Sequence, residues 1–225
     1  MQSLRPRHRR SNSPRRRKSF PRRKSFPRRR PPLTNRAKRP IAVAITGGIG
    51  AGKTEALRSF ARHGAATRSS DEIVHDLLRD DPQIHAALRE RWGEAIVGAG
   101  GADRGAIASI VFADSDELAW LESLLHPKVV REWEAWRDRQ TAPVLVTEVP
   151  LLYETGGEKR FDAVVAITAA PHIREERTEV SFDRERRLIP DEEKLRKADH
   201  TYVNDGTLEE LDAFVADVMA QLAQP

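Results

Sequence analysis

The chain has 225 residues, a formal net charge of +5 and no cysteine. Its length suits one ordinary domain with inserts, and the lack of cysteine excludes disulfides and cysteine-ligated metal sites. No apolar run approaches the roughly 18 residues of a membrane span, and no charged-then-apolar signal peptide opens the sequence. We therefore expect a soluble, cytoplasmic protein with no membrane partner, and the sequence leaves its oligomeric state open.

The basic charge is concentrated at the start of the chain. Residues 1–40 hold 14 Arg, 3 Lys and no acid, whereas the 22 basic residues that follow are outnumbered by 34 acidic ones. The segment repeats RRKSFP at 16–21 and 22–27, and its prolines forbid a continuous helix. Because dense like charge and low hydrophobicity cannot offset the entropy of ordering, we expect residues 1–39 to form a disordered arm.

The role of this arm stays open between three interpretations. The first is an inert solvated extension, or a start of translation assigned too far upstream. The second is a tether to nucleic acid or another acidic surface, and the third is an organelle transit peptide. The prolines oppose the amphipathic helix that a transit peptide needs. In each case the folded domain is expected to span residues 40–225.

The rest of the chain alternates apolar strands with helical stretches. Besides a short strand before Asp71, β-strands are predicted at 41–46, 144–149, 163–168 and 201–203. Continuous β-branched runs such as VLVTEV are typical of strands that a parallel sheet buries on both faces. Apolar residues at helical spacing predict helices at 71–78, 82–92, 106–114 and 116–139. The C-terminal helix is expected to place on one stripe Leu208, Leu211, Phe214, Val215, Val218 and Leu222.

This alternation predicts a doubly wound α/β core with a parallel sheet between two helical layers. The helical stretch at 71–140 is longer than a crossover between two strands, which predicts an inserted helical subdomain. In open sheets of this kind, ligands bind beyond the carboxyl ends of the strands.

The segment GGIGAGKT at 47–54 fits the phosphate-loop pattern G-x-x-x-x-G-K-[ST], between a predicted strand and a predicted helix. Its glycines let backbone amides turn toward phosphate oxygens, and the start of the following helix favours the same anion. Lys53 adds a charge for the β- and γ-phosphates, and the Thr54 hydroxyl is suited to Mg²⁺. The predicted ATP-binding residues in this segment are Gly48, Gly50, Ala51, Gly52, Lys53, Thr54 and Glu55.

The loop alone does not identify the reaction, because kinases, GTPases and motors all use it. The N-K-x-D motif of guanine-specific GTPases is absent, and the domain is shorter than a motor ATPase. A small-molecule kinase that uses ATP is the class that remains.

Further motifs resemble the dephospho-CoA kinase family. In that family's order and spacing, the chain carries ITGGIGAGKT at 45–54, SSDEIVHDLL at 69–78, ADRGAIASIVF at 102–112, LLHPKV at 124–129, EVPLLYE at 148–154 and ADHTYVNDG at 198–206. The pair of HP and PLLYE is the most specific part. The resemblance implies Mg²⁺-dependent transfer of the ATP γ-phosphoryl group to the ribose 3′-hydroxyl of dephospho-CoA. CoA and ADP are then the products, in the last step of coenzyme A biosynthesis.

The resemblance also implies which carboxylates act. Asp71 matches the second acid of the family's DAD motif, whose first acid is replaced by Ser69. An alcohol acceptor needs a carboxylate that orients it and takes its proton, so Asp71 and Lys53 are predicted catalytic residues. The alternative role of Asp71 is a helix N-cap. Glu148 is predicted to hold Mg²⁺ through water, together with Thr54, or to be a plain strand-end acid.

Several side chains match the family's acceptor contacts. The predicted substrate-binding residues are Asp71, Arg104, His126, Tyr153 and Arg177. The alternative for His126 in HP is a structural histidine, and the alternative for Tyr153 in PLLYE is a core tyrosine.

A lid is expected at 171–197, where charged helices would supply cations to the transition state. Arg177 and Arg184 are its predicted cations, and Arg184 is predicted to be catalytic. This stretch is shorter than in the family and has Leu188 where the family has Gln, and its alternative is a solvated charged helix. Asn204 is expected beside the adenine of ATP, or in a plain Asn-Asp-Gly turn.

Two other functions stay open at this point. One is another small-molecule kinase with a nucleotide or sugar acceptor, which a panel of acceptors under ATP would separate. The other is a nucleic-acid-binding protein tethered through the arm, which binding at varied salt, with and without residues 1–39, would separate.

Overall fold

The computed structural model describes residues 39–178 and 188–224 of the chain. Residues 1–38, 179–187 and 225 lie outside the described residues. Nearly all of the expected arm, and the expected lid cation Arg184, therefore lie outside them as well.

A parallel sheet of five strands forms the centre of the domain. All strands of the described residues, including two outside this sheet, are, in chain order, β1 (Ile41–Thr46), β2 (Ala66–Ser69), β3 (Val97–Gly98), β4 (Gly101–Ala102), β5 (Val144–Glu148), β6 (Ala163–Thr168) and β7 (His200–Val203). The sheet order is β2-β5-β1-β6-β7, and β3 pairs with β4 in a separate antiparallel hairpin. The predicted doubly wound parallel core is confirmed. The predicted bounds of β1 and β6 agree with the structure, while β5 ends one residue earlier than predicted and β7 begins one residue earlier.

Eight α-helices are described, and most of them flank this sheet. They are α1 (Lys53–Arg62), α2 (Ser70–Asp80), α3 (Pro82–Trp92), α4 (Arg104–Ala113), α5 (Ser115–Asp138), α6 (Pro171–Arg177), α7 (Asp191–Lys197) and α8 (Leu208–Leu222). Within residues 39–178 and 188–224, no helix combines the length and apolarity that crossing a membrane requires.

Both faces of the sheet are covered, because alternate residues of one strand pack into different hydrophobic clusters. On β1, Val43 and Ile45 join a cluster with α1 and α8, whereas Ala42 and Ala44 join a cluster with α2, α3 and α5. All five residues of β5 are buried. This two-sided burial explains why the strands are continuous apolar runs in the sequence.

The helices between β2 and β5 share one hydrophobic core with the sheet. Trp133 of α5 donates from Nε1 to Thr147 Oγ1 of β5 at 2.8 Å, inside that core. Because Thr147 directly precedes Glu148, this buried bond supports the carboxyl end of β5. The hairpin of β3 and β4 was not predicted, because its strands have two residues each and the sequence between them is glycine-rich.

The C-terminal helix buries most of its predicted stripe. Phe214 stacks on Tyr202 with 4.7 Å between ring centroids, and the stripe's buried residues are Leu211, Val215, Val218 and Leu222. The assignment of Leu208 to the stripe was wrong, since its side chain is 62% exposed. Leu208 opens α8 directly after the N-cap Thr207, almost one turn before the first buried residue.

The amino end of β1, opposite to the phosphate loop, is held by hydrogen bonds to Asp162. Arg39 Nη2 donates to Asp162 Oδ1 at 3.0 Å, and Asp162 Oδ2 accepts from the Ala42 amide at 3.0 Å. Asp162 directly precedes β6. These bonds therefore hold the point where residues 1–38 join the domain.

Candidate active site

The phosphate loop leaves β1, the central strand, and leads directly into α1. Gly50 has φ 72° and Gly52, the N-cap of α1, has φ 92°. Residues that carry a side chain rarely adopt these backbone angles. A Cβ at Gly50 would lie 2.8 Å from the carbonyl oxygen of Arg174, and a Cβ at Gly52 would overlap Asn204 Nδ2. Both glycines are therefore required by backbone conformation and by space.

Three carbonyls of this loop accept hydrogen bonds from side chains. Lys53 Nζ donates to the Gly48 carbonyl at 2.8 Å, and Arg174 Nε donates to the Ile49 carbonyl at 2.7 Å. Asn204 Nδ2 donates to the Ala51 carbonyl at 2.9 Å. In a trans peptide the N–H group points away from the C=O group. The amides that follow the last two carbonyls, those of Gly50 and Gly52, therefore point away from Arg174 and Asn204.

A lysine and a carboxylate, Lys53 and Glu148, both lie beside this loop. Thr54 Oγ1 donates to Glu148 Oε2 at 3.1 Å, at the carboxyl end of β5. Burial lowers the pKa of Lys53, and the negative charges of Glu148, Asp191 and Asp71 oppose that shift. Burial raises the pKa of Glu148, and the charge of Lys53 and the bond from Thr54 oppose that shift. The site thus holds partly desolvated charges of both signs close together.

The start of α2 explains how Asp71 is placed. Ser69, the last residue of β2, lies opposite Glu148 in the parallel register. Ser69 Oγ accepts from the Asp71 amide at 3.1 Å, and Glu72 Oε2 accepts from the Ser69 amide at 3.0 Å. The Ser69 side chain also accepts from the Glu72 amide, and this bond forms a capping box with the one from the Ser69 amide to Glu72. The alternative role of Asp71 as the N-cap is therefore wrong. Asp71 itself is exposed, and its charge raises the pKa of both Lys53 and Glu148.

A predicted lid cation and a predicted ATP-binding residue also lie at the loop, with different partners. Arg177, the last residue of α6, has its Nη1 atom 3.8 Å from the position that a Cβ of Gly52 would take. The Glu55 carboxylate pairs with Arg58 and Arg62 at 3.2 Å each, along α1. Any contact of Glu55 with a phosphate would thus use its backbone amide in the first helical turn.

The predicted acceptor contacts are more dispersed. Arg104 opens α4, and His126 precedes Pro127 inside α5, and both are exposed. Within the described residues, neither bonds to the phosphate loop. Tyr153 is half-buried in the loop after β5, and Lys197 Nζ lies 5.4 Å from its ring centroid.

Sequence reasoning missed a buried ion pair beside the loop. Lys194 of α7 is 1% exposed, and its Nζ lies 2.9 Å from Glu154 Oε1 and 3.3 Å from the Pro150 carbonyl. Its positive charge is also close enough to lower the pKa of Lys53. Within the charged run DEEKLRK at 191–197, no local signal separates this lysine from solvated ones.

We expect Glu154→Ala to lower the free energy of unfolding by about 3–5 kcal/mol, because it leaves Lys194 buried without its carboxylate. The measurement is urea unfolding followed by circular dichroism. Glu193→Ala is the matched control, on the helix that carries Lys194. The pair of Glu193 with Lys197 is exposed and should contribute less than about 1 kcal/mol. Equal unfolding midpoints for the two variants would contradict the prediction.

The oxygen atoms at the loop fit a magnesium ion that arrives with a nucleotide. Within the described residues, no group of three or more acidic or histidine side chains could hold a metal ion alone. The Thr54 hydroxyl and the Glu148 carboxylate are hard oxygen ligands, 3.1 Å apart. Mg²⁺ commonly uses one or two such ligands and takes the others from water and substrate phosphates.

Known proteins are similar to this chain in sequence and in fold. A family model described as dephospho-CoA kinase matches residues 41–210. The chain is 35% identical over 193 residues to a dephospho-CoA kinase of Protochlamydia amoebophila, covering 80% of this chain and 95% of that protein. It is 38% identical over 183 residues to one of Chlamydia pneumoniae, covering 76% of this chain and 91% of that protein.

Solved structures give the same picture for the fold. A Thermus thermophilus crystal structure superposes with a TM-score of 0.71 at 33% identity, covering 83% of this chain and 100% of that one. The dephospho-CoA kinase of Campylobacter jejuni superposes with a TM-score of 0.61, covering 81% of this chain and 96% of that one. Its identity of 23% supports the fold alone.

Proposed function

We propose which residues of this chain bind ATP, the metal and the acceptor, given that the chain belongs to the dephospho-CoA kinase family. As a member it catalyses ATP-dependent phosphorylation of dephospho-CoA in coenzyme A biosynthesis. The observation that carries the proposal is the bond of Thr54, the neighbour of Lys53, to Glu148 Oε2 at 3.1 Å. Asp71 follows two residues after Ser69, which lies opposite Glu148 in the neighbouring strand. One cation for the donor and two carboxylates for the metal and the acceptor are what phosphoryl transfer to an alcohol requires.

On the donor side, the loop amides and Lys53 bind the β- and γ-phosphates of ATP. Lys53 leaves the Gly48 carbonyl when a phosphate oxygen takes its place, since a charged partner makes the stronger hydrogen bond. Arg177 adds a second cation beside Gly52. Arg184 is a third proposed cation and lies outside the described residues. The chain around Asn204 borders the adenine.

On the acceptor side, Asp71 orients the ribose 3′-hydroxyl and takes its proton as the phosphoryl group is transferred. This role is supported by the capping box of Ser69 and Glu72, which leaves the cap of α2 independent of the Asp71 carboxylate. Arg104, His126 and Tyr153 are proposed to contact the phosphates and the pantetheine arm of dephospho-CoA.

Thr54 and Glu148 would hold Mg²⁺, Thr54 through its hydroxyl and Glu148 directly or through water. The ion, when bound with ATP, neutralises charge on the transferring phosphoryl group. Glu148 suits this position because its carboxylate already accepts from Thr54 and faces the charge of Lys53.

The proposal is tested with the purified chain, ATP, Mg²⁺ and a panel of acceptors that includes dephospho-CoA, nucleosides and sugars. Mass spectrometry should detect CoA, and fragmentation should place the new phosphate at the ribose 3′ position. A phosphate at another position would contradict the role of Asp71, and turnover restricted to a nucleoside or a sugar would contradict the acceptor itself.

We further propose that residues 1–39 tether the domain to nucleic acid, because 14 Arg and 3 Lys lie in the first 40 residues. Log affinity for a duplex should then fall against log salt with a slope of roughly −0.9 per phosphate neutralised. Deleting residues 1–38, which keeps the bond of Arg39 to Asp162, should abolish binding in fluorescence anisotropy and leave kcat near the full-length value. A large loss of kcat in a folded deletion variant would contradict this separation.

A further inference from the structure

A chain of polar contacts links the phosphate loop to the carboxyl end of the neighbouring strand β6. Arg174 of α6 is 8% exposed and donates from Nε to the Ile49 carbonyl at 2.7 Å and from Nη1 to Asp191 Oδ2 at 3.2 Å. The same carboxylate oxygen accepts from Thr168 Oγ1, at the end of β6, at 2.7 Å. The guanidinium is thus held on one side by an acid that is itself fixed to the sheet.

The geometry of a guanidinium makes this arrangement directional. Its N–H donors lie in a rigid plane, so a bond to Asp191 on one edge limits where the other edge can donate. The edge that remains meets the Ile49 carbonyl, and the trans peptide turns the Gly50 amide to the opposite side. At the same point, the backbone of α6 approaches Gly50 so closely that a Cβ would meet the Arg174 carbonyl at 2.8 Å.

We propose that Arg174 and Asp191 are positioning residues for the phosphate loop. Through the Ile49 carbonyl, they hold the Gly50 amide in the orientation that a nucleotide phosphate needs before the nucleotide arrives. Preorganised donors of this kind require no rearrangement at the moment of binding. The inference rests on the proposed ATP site and adds to it two residues that need not touch the nucleotide.

Asp191 distinguishes the proposal from a simple effect of charge, which makes the proposal testable. If only charge mattered, removing the acid Asp191 near bound phosphates would strengthen anion binding. If Asp191 positions Arg174, its removal loosens the Ile49 peptide and weakens anion binding. Asp191→Asn therefore separates the two effects by the direction of the change.

The experiment measures ADP affinity by calorimetry, together with kcat and the KM of each substrate, for Asp191→Asn, Arg174→Met and Arg174→Lys. We expect each variant to bind ADP roughly ten- to a hundredfold more weakly, the size of a lost charge-assisted hydrogen bond. Arg174→Lys is expected to fail because one ammonium group lacks the planar fork that serves both partners. The KM for dephospho-CoA should stay within about twofold, since uniform loss of donor binding leaves the acceptor side unchanged.

Glu193→Gln is the matched control, because it converts an exposed acid of the same helix to its amide. It should leave ADP affinity unchanged. Tight ADP binding by Asp191→Asn, or a lowered Tm with normal ADP affinity in Arg174→Met, would overturn the proposal. If Arg174→Met does not fold, the direction of the change in Asp191→Asn decides alone. A wild-type chain that did not bind ADP would instead refute the ATP site itself, and this inference with it.

Discussion

Asp71→Asn is expected to lower kcat by roughly 10²–10⁴, the usual contribution of a general base. Asparagine keeps the size of the side chain but cannot accept a proton at neutral pH. The fold should survive, because the N-cap of α2 is Ser69 and not Asp71. ADP affinity should change little, since Asp71 makes none of the hydrogen bonds seen at the phosphate-loop carbonyls.

The measurement is steady-state kcat with CoA detected by mass, beside ADP affinity from calorimetry. Glu72→Gln is the matched control, since a glutamine oxygen can still accept from the Ser69 amide in the capping box. Full kcat in Asp71→Asn would refute the catalytic role. A loss confined to weaker ATP binding would place Asp71 in the magnesium shell instead.

Lys53→Ala should lower kcat by on the order of a hundredfold or more, because a fixed cation at a developing charge contributes several kcal/mol. The loop itself should remain formed, since Arg174 and Asn204 still hold the Ile49 and Ala51 carbonyls. The loss should therefore be larger in kcat than in ADP affinity. The side chain of Lys53 is expected to act mainly on the transferring group.

Single-turnover assays with saturating ATP would separate this chemical step from product release. Arg58→Ala provides the control, because Arg58 is an exposed residue of the same helix and pairs only with Glu55 among its described ion pairs. Near-normal turnover in folded Lys53→Ala protein would refute the phosphate-loop interpretation.

Features with a local physical cause could be predicted from the sequence. The phosphate loop needs glycines and a lysine at fixed spacing, and the structure has Gly50 and Gly52 at positive φ with Lys53 opening α1. Strands buried on both faces must be apolar throughout, so β1 and β6 could be located to the residue. The doubly wound order follows once strands and helices alternate.

Features that depend on distant partners could not be predicted. Arg174 is 125 residues from Ile49 in the chain, and nothing near either residue in the sequence indicates their bond. Lys194 belongs to a charged run that includes exposed residues such as Lys197, yet it is buried against Glu154. The replacement of an acid by Ser69 indicated a missing ligand, but not that serine and Glu72 would together cap α2. Such roles are decided by packing and not by residue type.

The bond of Arg39 to Asp162 has a consequence for how the enzyme would work while anchored. It fixes the attachment point of residues 1–38 at the amino end of β1, whereas the catalytic mouth lies past its carboxyl end. Six residues of extended chain separate the two by about 20 Å. A polyanion that captured the arm would therefore be attached at the end of the domain away from the active site, so that the attachment point itself would not block the exchange of substrate and product.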